Sequence, residues 1–182
     1  MTEACIRPGP QAGAGERPRH IAQGEFALGD GLHSSISTIL GSCVATCLYD
    51  PGSGQGGMNH FLLPEGGGSG APAASFGINA MEVLINALIK AGAQRSGLQA
   101  KVFGGARMIA GLPDVGARNA EFVLDFLRRE GITCTGQSLG GTQARRVQFW
   151  PAEGRARQKL LGEAMVVERV PTARPGNGVE LF

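Results

Sequence analysis

A cysteine and a histidine of this chain stand where their side chains could do chemistry together. Cys43 directly precedes an apolar segment, Val44 to Tyr49, and His60 lies inside the next one, Met58 to Leu63. Short, continuous apolar segments of this kind are typical of buried β-strands, and the residues between them, 51–57, are rich in glycine and read as a loop. The sequence therefore predicts a thiol and an imidazole carried by two neighbouring strands.

This pair suits nucleophilic attack on a carbonyl carbon. A cysteine attacks as its thiolate, so it needs a base beside it, and His60 could take the thiol proton and later protonate the leaving group. A third group orients the imidazole in such sites, and Ser37, on the incoming strand before Cys43, is the candidate by location. Backbone N–H groups near Ser42 and Cys43 could stabilise an oxyanion. The predicted reaction is acyl transfer from an amide, through a thioester, to water.

Residue types alone leave a structural interpretation open for each of these residues. A cysteine in an apolar strand is more often a small buried hydrophobe than a nucleophile, and Cys47 and Cys134 fit that description. Cys43 differs because the turn Gly41-Ser42, not an apolar run, precedes it. A lone histidine in a strand is commonly a hydrogen-bonded core residue, so spacing alone does not decide between a catalytic pair and two structural residues.

The elements that must position these residues alternate between helices and strands. An apolar stripe (Ile78, Met81, Ile85 and Leu88) predicts a helix from about Phe76 to Ala91, and a second helix is predicted from Ala117 to Glu130. Short strands are predicted before, between and after these helices. The expected fold is α+β: one domain of layered, mixed β-sheets with two or three flanking helices.

Composition limits the class of protein. The length of 182 residues suits one domain, and a net charge of +2 is too small to indicate nucleic-acid binding. No apolar run reaches the length of a membrane span, and the N-terminal residues lack the apolar core of a secretory signal, so we expect a cytoplasmic protein without membrane insertion. We expect a disordered arm over residues 1–20, a domain over 21–170 and a flexible tail over 171–182. The spacing of the cysteines matches no metal site.

Two long segments of the chain, residues 37–51 and 56–64, strongly resemble the CheD family of chemoreceptor glutamine deamidases. The first reads Ser-Thr-Ile-Leu-Gly-Ser-Cys-Val-Ala-Thr-Cys-Leu-Tyr-Asp-Pro and the second Gly-Gly-Met-Asn-His-Phe-Leu-Leu-Pro. Four shorter segments follow in the family's order: 101–106, 116–119, 139–142 and 145–149. The resemblance covers roughly residues 22–160, which is nearly the whole predicted domain.

The resemblance implies a function and a site. Family members use a cysteine and a histidine with a Thr or Ser that orients the histidine, and these positions fall on Cys43, His60 and Ser37. Thr38 stands beside Ser37, but alternation in a strand points it to the other face, so spacing favours Ser37. The implied fold is that of a deamidating-toxin-like cysteine hydrolase, and the implied reaction hydrolyses glutamine side chains of methyl-accepting chemotaxis receptors to glutamate and ammonia. Neither a metal nor an organic cofactor is expected.

Two other functions remain open at this point. Family members also bind CheC-type phosphatases in some chemotaxis systems, so the chain could be an interaction module that docks a phosphatase and tunes adaptation. Such docking would depend on exposed apolar groups, for example around Phe103 or on the helix near Phe122. The other function is that of a further thiol acyl transferase, such as a transglutaminase-like enzyme. We expect a monomer in every case.

Overall fold

The computed structural model describes residues 17–64, 73–110 and 113–162 of the chain. Within these ranges it contains nine strands, two α-helices and two short 3-10 helices, Arg95–Gly97 and Pro151–Glu153. The strands are β1 Arg19–His20, β2 Phe26–Leu28, β3 Ile36–Leu40, β4 Val44–Asp50, β5 Gln55–Phe61, β6 Gln99–Gly104, β7 Thr133–Leu139, β8 Arg145–Trp150 and β9 Arg155–Leu160; the helices are α1 Ala73–Lys90 and α2 Val115–Arg129. Residues 1–16 of the predicted arm and the whole predicted tail lie outside the described residues, whereas Arg19 and His20, at the end of that arm, form a strand.

The strands form two mixed sheets. One has the order β1-β3-β8-β9 and the other β2-β5-β4-β6-β7. The pairs β1–β3 and β6–β7 are parallel, and all other pairs between the described strands are antiparallel. One core lies between the two sheets, and a second lies between the five-stranded sheet and the helices. The prediction of an α+β domain with layered mixed sheets is confirmed, with two flanking helices in the described part.

Strand β4 is the centre of this arrangement because it is buried on both faces. Val44 and Leu48 belong to the core beneath the helices, and Ala45 and Cys47 belong to the core between the sheets. When both faces of a strand are buried, the side chains on both faces are apolar, and apolar and polar residues do not alternate. This explains the continuous apolar sequence of β4. On its two sides β4 pairs with β5 and β6, so β5 is held directly beside it.

Helix α1 begins earlier than predicted and buries a slightly different face. Its buried residues include Gly77, Met81 and Ile85, whereas Ile78, which we expected in the apolar stripe, is 46% exposed. The stripe therefore begins one residue before Ile78, at a position where a side chain would collide with the ring of Phe122 on α2. In the described ranges, α1 alone has the length and mean hydropathy of a membrane span. Its buried residues Met81, Leu84, Ile85 and Leu88 pack into the core beneath the helices.

The end of β6 packs directly against the turn that precedes β4. Gly104 has φ +114, and a Cβ placed on it would overlap the carbonyl oxygen of Cys43. The next residue, Gly105, donates its N–H to the same Cys43 carbonyl at 2.8 Å and lies against the backbone of Gly116 in α2. Glycine is required at Gly104 both for its backbone conformation and for the close approach. These contacts hold the backbone of Cys43 in place.

Because of this close approach, Gly104→Ala should lower the free energy of unfolding by about 3 kcal/mol, from backbone strain together with overpacking. Urea denaturation measures the change. The matched control is Gly136→Ala in β7, where a Cβ would make only ordinary contacts with Lys101, and we expect a change of less than about 1 kcal/mol there. Similar stabilities for the two variants would contradict the close contact at Cys43.

Candidate active site

His60 lies on β5 and points into the layer between the two sheets. It stands opposite Ala45 in the pairing of β5 with β4, and it is only 6% exposed. Its Nδ1 is 2.8 Å from Oγ1 of Thr38, which lies on β3 in the other sheet. The imidazole therefore connects the two sheets through one hydrogen bond.

The hydrogen bonds of Thr38 determine which nitrogen of His60 carries the proton. A threonine hydroxyl has a single proton, and Thr38 donates it to the carbonyl oxygen of Ile21 at 2.8 Å. Toward His60 the hydroxyl oxygen must then accept, so the proton of a neutral imidazole is on Nδ1. The other nitrogen, Nε2, keeps its lone pair, is buried, and has no hydrogen-bond partner among the described residues. This nitrogen is available as a base.

The structure places Thr38, not Ser37, against the histidine, so our expectation for Ser37 was wrong in its geometry. Alternation along β3 does separate the two side chains, but the face toward His60 is the one that carries Ile36, Thr38 and Leu40. Ser37 lies on the opposite, half-buried face and pairs with Gln148 of β8. The apolar residues two positions before and after Thr38 agree with burial of this face, but the sequence of β3 does not show that His60 covers it.

Burial keeps the imidazole of His60 neutral. Its pKa is lowered to about 4, first because burial removes water from the charged form and second because His20 lies nearby. The Ile21 carbonyl and the Glu25 carboxylate oppose this shift without cancelling it. At neutral pH His60 is therefore an unprotonated base and not the cationic half of an ion pair.

Cys43 precedes β4 and is brought to the same layer as His60. It belongs to the core between the sheets together with Ala45, two residues along, and it is 3% exposed. Because His60 is opposite Ala45, Cys43 and His60 are diagonal neighbours on one face of the sheet, a spacing of about 7–8 Å between Cα atoms. The thiol of Cys43 lies 3.4 Å from Oε1 of Gln23, to which it donates.

The other described cysteines have structural surroundings. Cys47 lies on the same face as Cys43 but is fully buried, and burial strongly raises the pKa of its thiol while Lys101 lowers it only in part. Cys134 is half-buried on β7 and donates to the carbonyl oxygen of Gly136 at 3.4 Å. A buried thiol with a raised pKa is inert, as we expected for Cys47.

Asn119 holds the segments of the two candidate residues together, and sequence reasoning missed this role. It is fully buried on α2. Its Nδ2 donates to the carbonyl oxygen of Ser42 at 2.9 Å, and its Oδ1 accepts from the backbone N–H of Leu63 at 3.0 Å. One side chain thus joins the turn before Cys43 to the end of the strand that carries His60. A polar residue inside an otherwise well-formed amphipathic helix was the available sequence feature.

A cleft of about 390 Å³ opens beside His60. Residues from β5, α1 and the segment before β2 line it, among them Gln23, Phe26, His60, Phe76 and Val83. Three of these, Phe26, Phe76 and Val83, are large apolar side chains with exposed surface. The cleft is the route by which a substrate side chain could approach the histidine. No set of three His, Cys, Asp or Glu side chains in the described ranges is grouped as metal ligands.

Fold and site together define the class of protein: an α+β domain that holds a cysteine and a hydroxyl-oriented, neutral histidine in the layer between two sheets. A model of the CheD family, described as CheD chemotactic sensory transduction, matches residues 62–160. The chain belongs to the CheD family.

Curated relatives match almost the whole chain. It is 50% identical over 168 residues to a "Probable chemoreceptor glutamine deamidase CheD" of Sinorhizobium medicae (strain WSM419), with 88% of this chain and 91% of the relative covered. Relatives with the same description occur in Caulobacter sp. (strain K31), at 49% identity with 90% and 92% covered, and in Agrobacterium fabrum (strain C58), at 48% identity with 90% and 95% covered.

Thr38→Val should disturb the histidine, whereas Ser37→Ala should not. Loss of the hydroxyl leaves the Nδ1 proton of His60 without its acceptor, a cost of about 1.4 kcal/mol or tenfold in the population of the correct tautomer. Nitrogen chemical shifts of the imidazole, measured by NMR at neutral pH, report that population. An unchanged tautomer in Thr38→Val, or a changed one in Ser37→Ala, would contradict the assignment.

The lowered pKa of His60 predicts how the histidine and the fold respond to acid. NMR titration should give a midpoint near 4 for His60. In the unfolded chain the same group titrates near 6.5, so its contribution to stability is fully present above that pH and is lost as the pH falls toward 4. The pH dependence of unfolding between pH 7 and 5 should therefore be weaker in His60→Gln. A midpoint for His60 between 6 and 7 would show that burial does not control this group.

Proposed function

We propose that the chain hydrolyses the side-chain amide of glutamine residues on chemoreceptors, with Cys43 as nucleophile, His60 as general base and acid, and Thr38 as the residue that orients His60. The hydrogen bond from Nδ1 of His60 to Thr38 is the observation that supports this most directly, because it leaves Nε2 with its lone pair on the face of the sheet that also carries Cys43. The relatives named chemoreceptor glutamine deamidases supply the substrate class.

Acylation begins when the glutamine side chain enters the cleft beside His60. Nε2 takes the thiol proton of Cys43 as the sulfur attacks the amide carbon, so a C–S bond forms and the carbonyl oxygen becomes an oxyanion. When the carbonyl re-forms, the C–N bond breaks. His60 gives its proton to the leaving nitrogen, which departs as ammonia, and a thioester to Cys43 remains.

Deacylation repeats these proton transfers with water in place of the thiol. His60 removes a proton from water, whose oxygen adds to the thioester carbon. Collapse of the intermediate breaks the C–S bond, returns the proton to the sulfur and releases a glutamate side chain. His60 is neutral again at the end of the cycle, which agrees with its lowered pKa.

The shape of the site supports a protein substrate. Cys43 is nearly buried, so only a slender group such as a glutamine side chain could reach it, while the cleft outside is open. The exposed rings of Phe26 and Phe76 at that opening offer apolar contacts for the helix that presents the glutamine. The bound receptor segment would then lie between β2 and α1.

The setting we infer for this reaction is the cytoplasm, where the chain would act as a monomer on receptor helices without entering the membrane. Docking of a CheC-type phosphatase is a further part of the proposal. The apolar residues that we expected to serve such docking are less accessible than predicted: Phe103 is buried between the sheets, and Phe122 packs edge-to-face on Phe61. No observation favours an interaction module over the enzyme.

The direct test is mass spectrometry of a receptor cytoplasmic fragment incubated with the protein. We expect conversion of glutamine to glutamate at discrete sites, a gain of about 1 Da for each, with release of ammonia. Cys43→Ala should abolish the conversion because no other described cysteine shares its surroundings.

The matched control is Cys47→Ala, which removes a thiol from the same strand but not from the site. Its activity should persist, with at most a moderate loss of stability from the buried cavity. Conversion that survives in Cys43→Ala, or no conversion by the wild-type protein on a folded fragment, would refute the proposal. Incorporation of an added amine in place of water would instead identify a transglutaminase-like enzyme.

A further inference from the structure

The side chain of Gln23 lies against the sulfur of Cys43, and the mechanism above gives it no role. Its Oε1 accepts from the Cys43 thiol at 3.4 Å. Gln23 is itself exposed and lines the cleft beside His60. A primary amide therefore stands between the nucleophile and the route by which a substrate would arrive.

The backbone around Gln23 is tied to the backbone of His60. Gln23 is the second residue of a turn closed by the N–H of Glu25 and the carbonyl of Ala22 at 3.1 Å, with Gly24 at φ +85 in the third position. Gly24 donates to the carbonyl of His60 at 2.8 Å, and His60 donates to the carbonyl of Glu25 at 3.0 Å. The Cα of Gln23 is thus held at a set distance from the strand of the catalytic base, and only its side chain is free to turn.

A side-chain amide in this place has the chemistry of an oxyanion donor. The oxyanion develops on the oxygen of the carbon that bonds to Cys43 Sγ, so it forms two bonds from the sulfur that Gln23 already contacts. Rotation about the terminal torsion of a glutamine has a broad, roughly two-fold profile, and a half turn replaces Oε1 by the two protons of Nε2. Asparagine and glutamine amides serve in this way in oxyanion holes.

We propose that Gln23 is a further catalytic residue, whose side-chain N–H donates a hydrogen bond to the oxygen of the tetrahedral intermediate on Cys43. As the sulfur adds, the electron pair of the carbonyl π bond moves to this oxygen, and Gln23 stabilises the charge there. When the pair returns, the C–N bond breaks and ammonia leaves with the proton from His60. Gln23 neither gains nor loses a proton. The inference rests on the part of the proposed function that makes Cys43 the nucleophile, but not on the identity of the amide substrate.

Acylation and alkylation of the Cys43 thiol distinguish an oxyanion donor from a residue that acts on the thiol itself. Acylation of Cys43 by p-nitrophenyl acetate passes through an oxyanion, whereas alkylation by iodoacetamide is a displacement at carbon that forms none. In Gln23→Met, which keeps the length of the side chain and removes the amide, acylation should slow by about 10²-fold. Alkylation should change by less than about twofold. Subtraction of the rates in Cys43→Ala isolates the reaction of this thiol.

Gln94→Met is the control variant, because Gln94 is exposed at the start of a short turn away from the cleft, and both of its rates should match those of the wild type. Unchanged acylation in Gln23→Met would overturn the proposal. A parallel fall in both rates would overturn it as well, because the residue would then act on the thiol and not on the oxyanion. A rise in both rates would make Gln23 a cover over the sulfur and likewise refute the donor role.

The receptor assay separates this inference from the proposed function. With a receptor fragment as substrate, Gln23→Met should lower kcat by about 10²-fold and leave KM nearly unchanged, because the hydrogen bond forms only in the transition state. If the wild-type protein deamidates the fragment and Gln23→Met does so at the same kcat, the function stands and the inference fails. If the wild-type protein releases no ammonia but the ester result holds, the proposed substrate fails and the donor role stands.

Discussion

Burial of β4 on both faces is the constraint on which the rest of the structure depends. A strand covered by helices on one side and by a second sheet on the other must pair all its backbone groups within the protein, and β5 and β6 provide those partners. The side chains of β5 that face the other sheet then lie in a buried layer. His60 is one of them, and its buried ring is stabilised because Thr38, in the opposite sheet, accepts a hydrogen bond from its Nδ1–H.

Burial acts differently on the titratable groups of this layer. It lowers the pKa of His60 and raises that of Cys47, so both groups are held neutral. Cys47 lies too deep for any further use. Cys43 directly precedes the strand, and its sulfur contacts Gln23, a polar side chain that lines the cleft. Position along one strand therefore separates the structural thiol from the reactive one in our proposal.

The turn before β4 needs support from a distant part of the chain because β3 and β4 belong to different sheets. Asn119 accepts a hydrogen bond from the N–H of Leu63, just after β5, and donates one to the turn. Gly104 and Gly105 let the end of β6 lie against the carbonyl of Cys43. A carbonyl left unpaired at this depth would cost about 1–3 kcal/mol. The hydrogen bonds to the turn avoid that cost, and they fix the backbone of the nucleophile to α2 and β6.

Local sequence was enough to predict the class of fold, the strand of continuous apolar residues, both helices and the placement of Cys43 and His60 beside neighbouring strands, because each of these depends on periodicity or on a turn between such strands. Tertiary structure alone decided which hydroxyl meets the histidine. Ser37 and Thr38 are adjacent hydroxyl residues on opposite faces of β3. The face that carries Thr38 meets His60 because the five-stranded sheet packs against it, and the sequence of β3 does not specify that packing. The contacts of Asn119 and Gln23 likewise join segments 20 to 80 residues apart, since the physical partner in each case is supplied by packing between elements and not by neighbours along the chain.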